Sequence, residues 1–390
     1  MRTVHRRVLV VGATATCLTA AAGVVPAWAA PGTGAPVAVT AAQGTPVPGR
    51  YIVTLKRGAS AASAAERVRA RSVRRFEGAL NGFAAGLSRA QLERLRRDPS
   101  VAAIEQDQVV KLVATQKNPA WGLDRIDQRP LPLSKSYTHA STGTGVNAYV
   151  IDTGLAYKHP EFGGRARMVW VAPEFLGDGW DHNGHGTHVA GIIGARTWGV
   201  AKNVNLRGLR VLDADGYGSV STIVLAVQWL QRNAVKPAVA NLSIGGPKSA
   251  ALNTALQKLS ESGVFVTVAA GNENQNACNT SPSSAGWVMA VGATTIYDNR
   301  ATWSNHGPCV DIFAPGYGIT SAWPGGGTKT VSGTSMAAPH VSGVAALYLA
   351  GHRGATFPQV QKWLNDNATK GKLKRLPSGT ANRLLYTAGL

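Results

Sequence analysis

From residue 145 onward, short apolar runs alternate with longer stretches whose apolar positions follow helical spacing. The strand-like runs are residues 146–151, 205–212, 238–244, 264–269 and 288–291. The helical stretches are 187–195, 221–233, 249–262, a run starting at 336 or 339 and ending at 349, and 358–365. The strand runs are apolar almost throughout, which is how strands covered on both faces read. The pattern predicts an α/β unit: a mostly parallel central sheet with helices on both faces. Ahead of it, residues 31–49 are rich in Pro, Gly, Ala and Thr and read as a linker. Residues 50–56 and 101–111 are strand-like and 61–75 and 89–97 helical, which predicts a small α+β unit over about residues 50–112 with its own core. After Val113 the Arg density falls and the Gly and aromatic content rises, so the expected division is 31–113 and 114–390.

The formal net charge is +20, which raises a nucleic-acid or anionic-surface reading. Its distribution argues against one. Residues 114–390 hold 24 Lys and Arg against 14 acids, residues 31–113 hold 13 against 6, and the nearest thing to a basic run is Lys370, Lys372, Lys374 and Arg375. No recognition motif accompanies the charge, and no nucleic-acid partner is expected. Residues 1–30 read as an export signal: Arg2, Arg6 and Arg7, an apolar stretch over 8–25, then the small-x-small site Ala27-Trp28-Ala29. Thr and Gly dilute that stretch below what a membrane anchor needs, so a secreted, unanchored protein is expected. Arg6-Arg7 lacks the flanks of a twin-arginine address, which favours the general export route. Cys17 leaves with the signal. Cys278 and Cys309 remain, and in an oxidising space a disulfide is the expectation, with two buried thiols as the alternative. It would close a loop of about 31 residues and contribute roughly 3–4 kcal/mol.

The segment Gly333-Thr334-Ser335-Met336-Ala337-Ala338-Pro339-His340 sets Ser335 at the start of a helical run, with Pro339 in or close to the first turn. Unpaired N–H groups there favour negative charge. Taken alone, Ser335 is equally compatible with a helix cap and with a nucleophile. Three other segments bear on the choice. Asp152 ends one strand run, Asn272 follows another, and His185 opens a helix of small residues. At the C-terminal edge of a parallel sheet these would make Ser335 the nucleophile, His185 its base, Asp152 the carboxylate that orients the imidazole, and Asn272 with the Ser335 N–H an oxyanion site. The order Asp, His, Ser is one known solution to that geometry. Competing motifs are incomplete. His182, His185 and His188 spread too widely on a helix for zinc and lack the glutamate of H-E-x-x-H. Gly143-Thr144-Gly145 precedes its strand, unlike a dinucleotide loop. Ala337 breaks a G-x-S-x-G elbow.

Tyr149-Val150-Ile151-Asp152-Thr153-Gly154, His185-Gly186-Thr187-His188-Val189-Ala190-Gly191 and Gly333-Thr334-Ser335-Met336 with Ala338-Pro339-His340 resemble the three catalytic signatures of the subtilisin-like serine proteases, the subtilases. Within that family the likeness is to the proteinase K branch and its aqualysin-type secreted bacterial enzymes. Residues 50–112 resemble the family's inhibitory propeptide. The resemblance implies a monomeric endopeptidase made as a zymogen, with the propeptide as intramolecular inhibitor and folding aid, released near the bond between Val113 and Ala114. It implies that polypeptide substrates lie as an added strand between Gly216-Tyr217-Gly218 and Ser243-Ile244-Gly245. Ala269, Ala270, Gly271 and Thr280 then line the primary pocket. None is charged, which implies apolar or aromatic acyl-side residues. A structural Ca²⁺ held by Asp311 and the carbonyls of Gly286 and Val288 is also implied. Cys278 and Cys309 match one disulfide of the aqualysin-type enzymes, whereas the positions of the other hold His182 and Asp215 or Ala214. The alternative is a non-catalytic binding protein on the same scaffold.

Overall fold

The structure is a computed structural model, and it describes residues 35–42, 46–76, 80–108, 114–175 and 177–390. The export signal read at residues 1–30, and Val113 at the expected cleavage point, lie outside the described residues. The chain divides into two compact units, Met1–Val110 and Lys111–Leu390.

In the first unit, strands Val39–Thr40, Pro46–Leu55, Arg71–Phe76, Gly82–Gly86 and Val101–Gln108 form one sheet, accompanied by helices Ala61–Arg67 and Arg89–Arg96. Val53, Phe83, Leu95 and Ile104 form the centre of its core. The helix expected over 61–75 is shorter. Ser60 caps its start by accepting from the Ser63 N–H. Arg69, with φ 53°, then takes the left-handed conformation that ends a helix. Residues Arg71–Phe76 form a strand paired antiparallel with Gly82–Gly86. Their helix-favouring composition yields to that pairing.

The second unit is built on a nine-stranded sheet. In chain order its strands are β1 (Asn147–Asp152), β2 (Ala166–Val171), β3 (Asn205–Arg210), β4 (Ala238–Leu242), β5 (Val264–Ala269), β6 (Met289–Thr294), β7 (Ile312–Pro315), β8 (Thr369–Lys370) and β9 (Arg383–Leu384). Across the sheet they run β8-β9-β7-β6-β5-β4-β1-β3-β2. All neighbours are parallel except β8 with β9. β1, β4, β5 and β6 are buried at every residue, as parallel strands covered on both faces must be. The principal helices are α1 (His185–Gly194), α2 (Val220–Asn233), α3 (Ala250–Glu261), α4 (Thr334–Gly351) and α5 (Phe357–Asn367). α1, α4 and α5 contribute Ile192, Val341, Val344 and Val360 to the core on one face of the sheet. α2 and α3 contribute Leu230, Leu256 and Leu259 to the other. The apolar pattern did not mark four strands: β2, a half-exposed edge strand, β7, a four-residue segment ending in Pro315, and the two-residue strands β8 and β9.

α4 begins earlier than its composition suggests. Gly333 is its N-cap, Thr334 and Ser335 lie in its first turn, and Pro339 is inside the helix. Ser335 is therefore not a helix cap. Proline at an interior position removes the N–H that would bond the carbonyl four residues back, and that carbonyl belongs to Ser335. The helix tolerates the loss because Oγ of Ser243 donates to the Ser335 carbonyl at 2.8 Å. α4 packs closely on α1 and the segment after it. A Cβ at Gly343 would lie 2.5 Å from Cβ of the buried Val200. We expect Gly343→Val to destabilise the fold by about 1–3 kcal/mol through overpacking, read as a lower urea midpoint with an unchanged m-value.

Candidate active site

β1 delivers Asp152 at its last residue, and the side chain is fully buried. α1 begins at His185, after Gly184 at φ 106°. Nδ1 of His185 lies 2.8 Å from Oδ1 of Asp152. The approach depends on Gly186, where a Cβ would meet the Gly154 carbonyl at 2.2 Å and the Asp152 side chain at 3.1 Å. The same Asp152 oxygen accepts from the Thr153 N–H at 2.7 Å.

A second buried carboxylate holds this corner. Oδ1 of Asp181 accepts from Oγ1 of Thr153 at 2.8 Å and from the N–H groups of Asn183 and Gly184; Oδ2 accepts from the N–H and hydroxyl of Thr187. It thereby fixes the loop that enters α1. Burial works against a charged His185 ring, but the charge and hydrogen bond of Asp152, helped by the charge of Asp181, outweigh it and raise the His185 pKa.

Asn272 follows β5. Its Oδ1 accepts from both the N–H and the hydroxyl of Thr334, each at 2.9 Å. Oγ1 of Thr334 accepts in turn from the Gly271 N–H at 3.1 Å. With the amide oxygen committed twice, the Asn272 NH₂ is the end left to donate. Ser335, next along, does not bond His185 in this structure. Its hydroxyl donates to the Ser243 carbonyl at 2.9 Å.

Beside these residues runs a cleft of about 540 Å³ lined by His185, Gly216, Tyr217, Gly218, Ser243, Ile244 and Gly245. Both segments expected to bracket an extended peptide face it, and Tyr217 stands 75% exposed at its rim. An adjoining pocket of about 340 Å³ is lined by Ala269, Ala270, Gly271, Thr280 and also Glu273. Glu273 corrects the picture of an uncharged pocket. Oδ1 of Asn305 accepts from the Glu273 N–H at 3.1 Å, and Nδ2 of Asn305 donates to Oε2 of Glu273 at 2.8 Å, which holds the carboxylate at the wall. Cys278 and Cys309 form a disulfide, with Cα atoms 5.3 Å apart, next to the pocket residues Asn279 and Thr280.

At the expected calcium position, Asp311 is mostly buried. Its Oδ2 accepts from the Ala290 N–H at 2.8 Å and its Oδ1 from the Gln361 amide at 3.3 Å. Burial pushes its pKa up to about 6. Between Gly286 and Val288, Trp287 has a left-handed φ of 57°, a conformation that a bulky residue keeps only under constraint. Burial outweighs the charge of Arg383 and the two hydrogen bonds that favour the ionised form, and a carboxylate oxygen of this kind suits a hard cation. Among the described residues, no group of three or more His, Cys, Asp or Glu is placed to hold a metal ion. No helix among them is long and apolar enough to cross a membrane.

Asp181, Thr334, Asn305 and Glu273 are the residues that motif reading passed over. Asp181 and Thr334 sit inside or beside the motifs, and a carboxylate two residues before Asn-Gly-His-Gly was a usable signal. Nothing in the sequence pairs Asn305 with Glu273.

The subtilase family model matches residues 143–383, and that of the I9 peptidase inhibitors matches residues 50–113. Alkaline serine exoprotease A of Vibrio alginolyticus is 50% identical over 318 residues, which cover 80% of this chain but only 59% of that protein. The extracellular serine proteinase of Thermus sp. (strain Rt41A) is 46% identical over 368 residues, covering 87% of this chain and 90% of the relative. Proteinase R of Parengyodontium album is 43% identical over 359 residues, covering 90% and 92%. The crystal structure of a cold-adapted subtilisin-like serine proteinase matches with a TM-score of 0.68 and 52% identity, covering 70% of this chain and 99% of that one. With its own I9 inhibitor unit ahead of the catalytic one, this chain belongs to the subtilase family and is a serine endopeptidase.

Proposed function

We propose that the chain is exported as a zymogen and, once its N-terminal unit is released near the bond between Val113 and Ala114, cleaves polypeptides through Ser335, His185 and Asp152. The observation that carries this reading is the 2.8 Å contact of His185 with a buried Asp152. It holds the imidazole by Nδ1 and leaves Nε2 as the base. The Ser335 hydroxyl turns from the Ser243 carbonyl to Nε2, gives up its proton and attacks the scissile carbonyl. The resulting oxyanion accepts from the Asn272 NH₂ and from the Ser335 N–H in the first turn of α4, where the helix dipole adds to the attraction. The imidazolium then protonates the leaving amine, and water hydrolyses the acyl-enzyme by the same steps. Substrate backbone pairs with segments 216–218 and 243–245, so selection falls mainly on the pocket. Its alanines and glycine favour apolar and aromatic side chains, and Glu273 adds tolerance for a basic one.

We also propose that Asp311, with the carbonyls of Gly286 and Val288, holds a structural Ca²⁺. The ion would add to the positive charge that Arg383 already brings to this desolvated carboxylate. The I9 unit serves as intramolecular inhibitor and folding aid until it is cut away.

A serine-directed phosphonylating reagent should label Ser335 and abolish peptide hydrolysis; label elsewhere, or none, refutes the mechanism. The base must be neutral to act and its pKa is raised. Activity should therefore climb with pH through a midpoint above that of an ordinary histidine, and Asp152→Asn should shift the midpoint down while lowering kcat by about 10⁴. Profiling cleavage sites on a peptide library should show Glu273→Gln losing cuts after Lys and Arg while keeping those after Phe and Leu. Chelation should lower the Tm of the wild-type protein, and Asp311→Asn should make Tm insensitive to added Ca²⁺.

A further inference from the structure

β4 carries a polar residue where its place calls for an apolar one. Asn241 is fully buried between Ala240 and Leu242 in a strand with parallel neighbours on both sides. Its side-chain hydrogen bonds all go to other side chains. Nδ2 donates to Oγ of Ser243 at 2.8 Å. Oδ1 accepts from Oγ of Ser342 at 2.9 Å, and Oγ1 of Thr267 lies 3.2 Å away with its one proton shared between Oδ1 and Oγ of Ser342. Thr267 and Ser342 are themselves fully buried and bonded to each other. A buried polar cluster of this kind is unnecessary for packing, since matched apolar groups of the same shape serve stability about as well.

The three segments that meet at Asn241 each lead into the site. β4 runs on to Ser243 and Gly245, and β5, with Thr267, runs on to Asn272. α4 carries Ser342 about two turns beyond Ser335. The connection to Ser335 is direct. Because Pro339 has no N–H, the Ser335 carbonyl takes its hydrogen bond from the Ser243 hydroxyl. That hydroxyl has a single proton. With the Asn241 NH₂ donating to its oxygen, the proton is directed at the Ser335 carbonyl.

We propose that Asn241 is a positioning residue for catalysis. Its amide, braced by Thr267 and Ser342, aims the Ser243 hydroxyl and so sets the nucleophile's backbone against the substrate strand and the oxyanion donors. The inference rests on the assignment of Ser335 as nucleophile. Misplacement by even 1 Å at a reacting centre costs on the order of 10² in rate, so a loosened Ser335 should be read in kcat.

Expressed as the full chain, Asn241→Leu keeps the volume and removes the amide. It should lower kcat on a peptide anilide by about 10- to 100-fold and slow phosphonylation of Ser335 by a similar factor, with KM within about twofold. Ser342→Ala, a milder change that keeps the Asn241 donor, should lower kcat several-fold, and the double variant should be no slower than Asn241→Leu. Unchanged kcat and labelling in folded Asn241→Leu, or effects that multiply in the double variant, overturn the proposal. If Asn241→Leu does not fold, Ser342→Ala decides alone, and an unchanged kcat there overturns it. Absence of Ser335 label in the unaltered protein would instead overturn the nucleophile assignment beneath it.

Discussion

Helix α4 has no polar face to offer water. Met336 through Leu347 are all buried, and a helix apolar all round must be enclosed. It packs against β4, β5, β6, β7 and α1, so the sheet and its neighbouring helix fix its position. Its first turn then lies beside the residues that follow β4 and β5. That single placement puts Ser335 against Ser243, and Thr334 against Asn272. Pro339 makes the placement tighter. By withholding an N–H it obliges the Ser335 carbonyl to find a donor outside the helix, and the donor is Ser243, which lines the cleft.

The electrostatics of the corner follow from which groups share it. His185, His188 and His340 lie on two packed helices, yet burial drives the pKa values of His188 and His340 down to about 4 while that of His185 rises. His188 and His340 meet backbone carbonyls, which can hold a neutral ring but do not stabilise its charged form as a carboxylate does. Only His185 has Asp152. Asp181 completes the arrangement by taking four hydrogen bonds from the turn that carries His185 and a fifth from the Thr153 hydroxyl. The loop is thereby ordered, and no carboxylate oxygen of Asp181 is left without a donor.

Much of this was legible in the sequence. The strands β1, β4, β5 and β6 read as continuous apolar runs because both faces are covered. The positions of Asp152, His185, Asn272 and Ser335 relative to those runs could be read off the chain. Legibility failed where local preference and tertiary pairing disagree. Residues 71–76 have helical composition but pair with Gly82–Gly86. The start of α4 was blurred by Pro339, whose cost is offset by a side chain far away in sequence. Glu273 is brought to the pocket wall by Asn305, a contact between loops.

By itself, then, the sequence determined the chemical inventory and its order: a carboxylate after one strand, a histidine opening one helix, a serine opening another, and enough apolar length for a sheet covered on both sides. These are properties of single segments, set by periodicity and local composition. The tertiary structure alone decided that Ser335 is a first-turn residue with its hydroxyl on Ser243, that Thr334 orients Asn272, that a carboxylate shares the pocket of Ala269 and Thr280, and that Asn241 ties three segments together beneath the site. Each of these rests on a hydrogen bond between segments distant in the chain, and such bonds exist only once packing has brought donor and acceptor face to face.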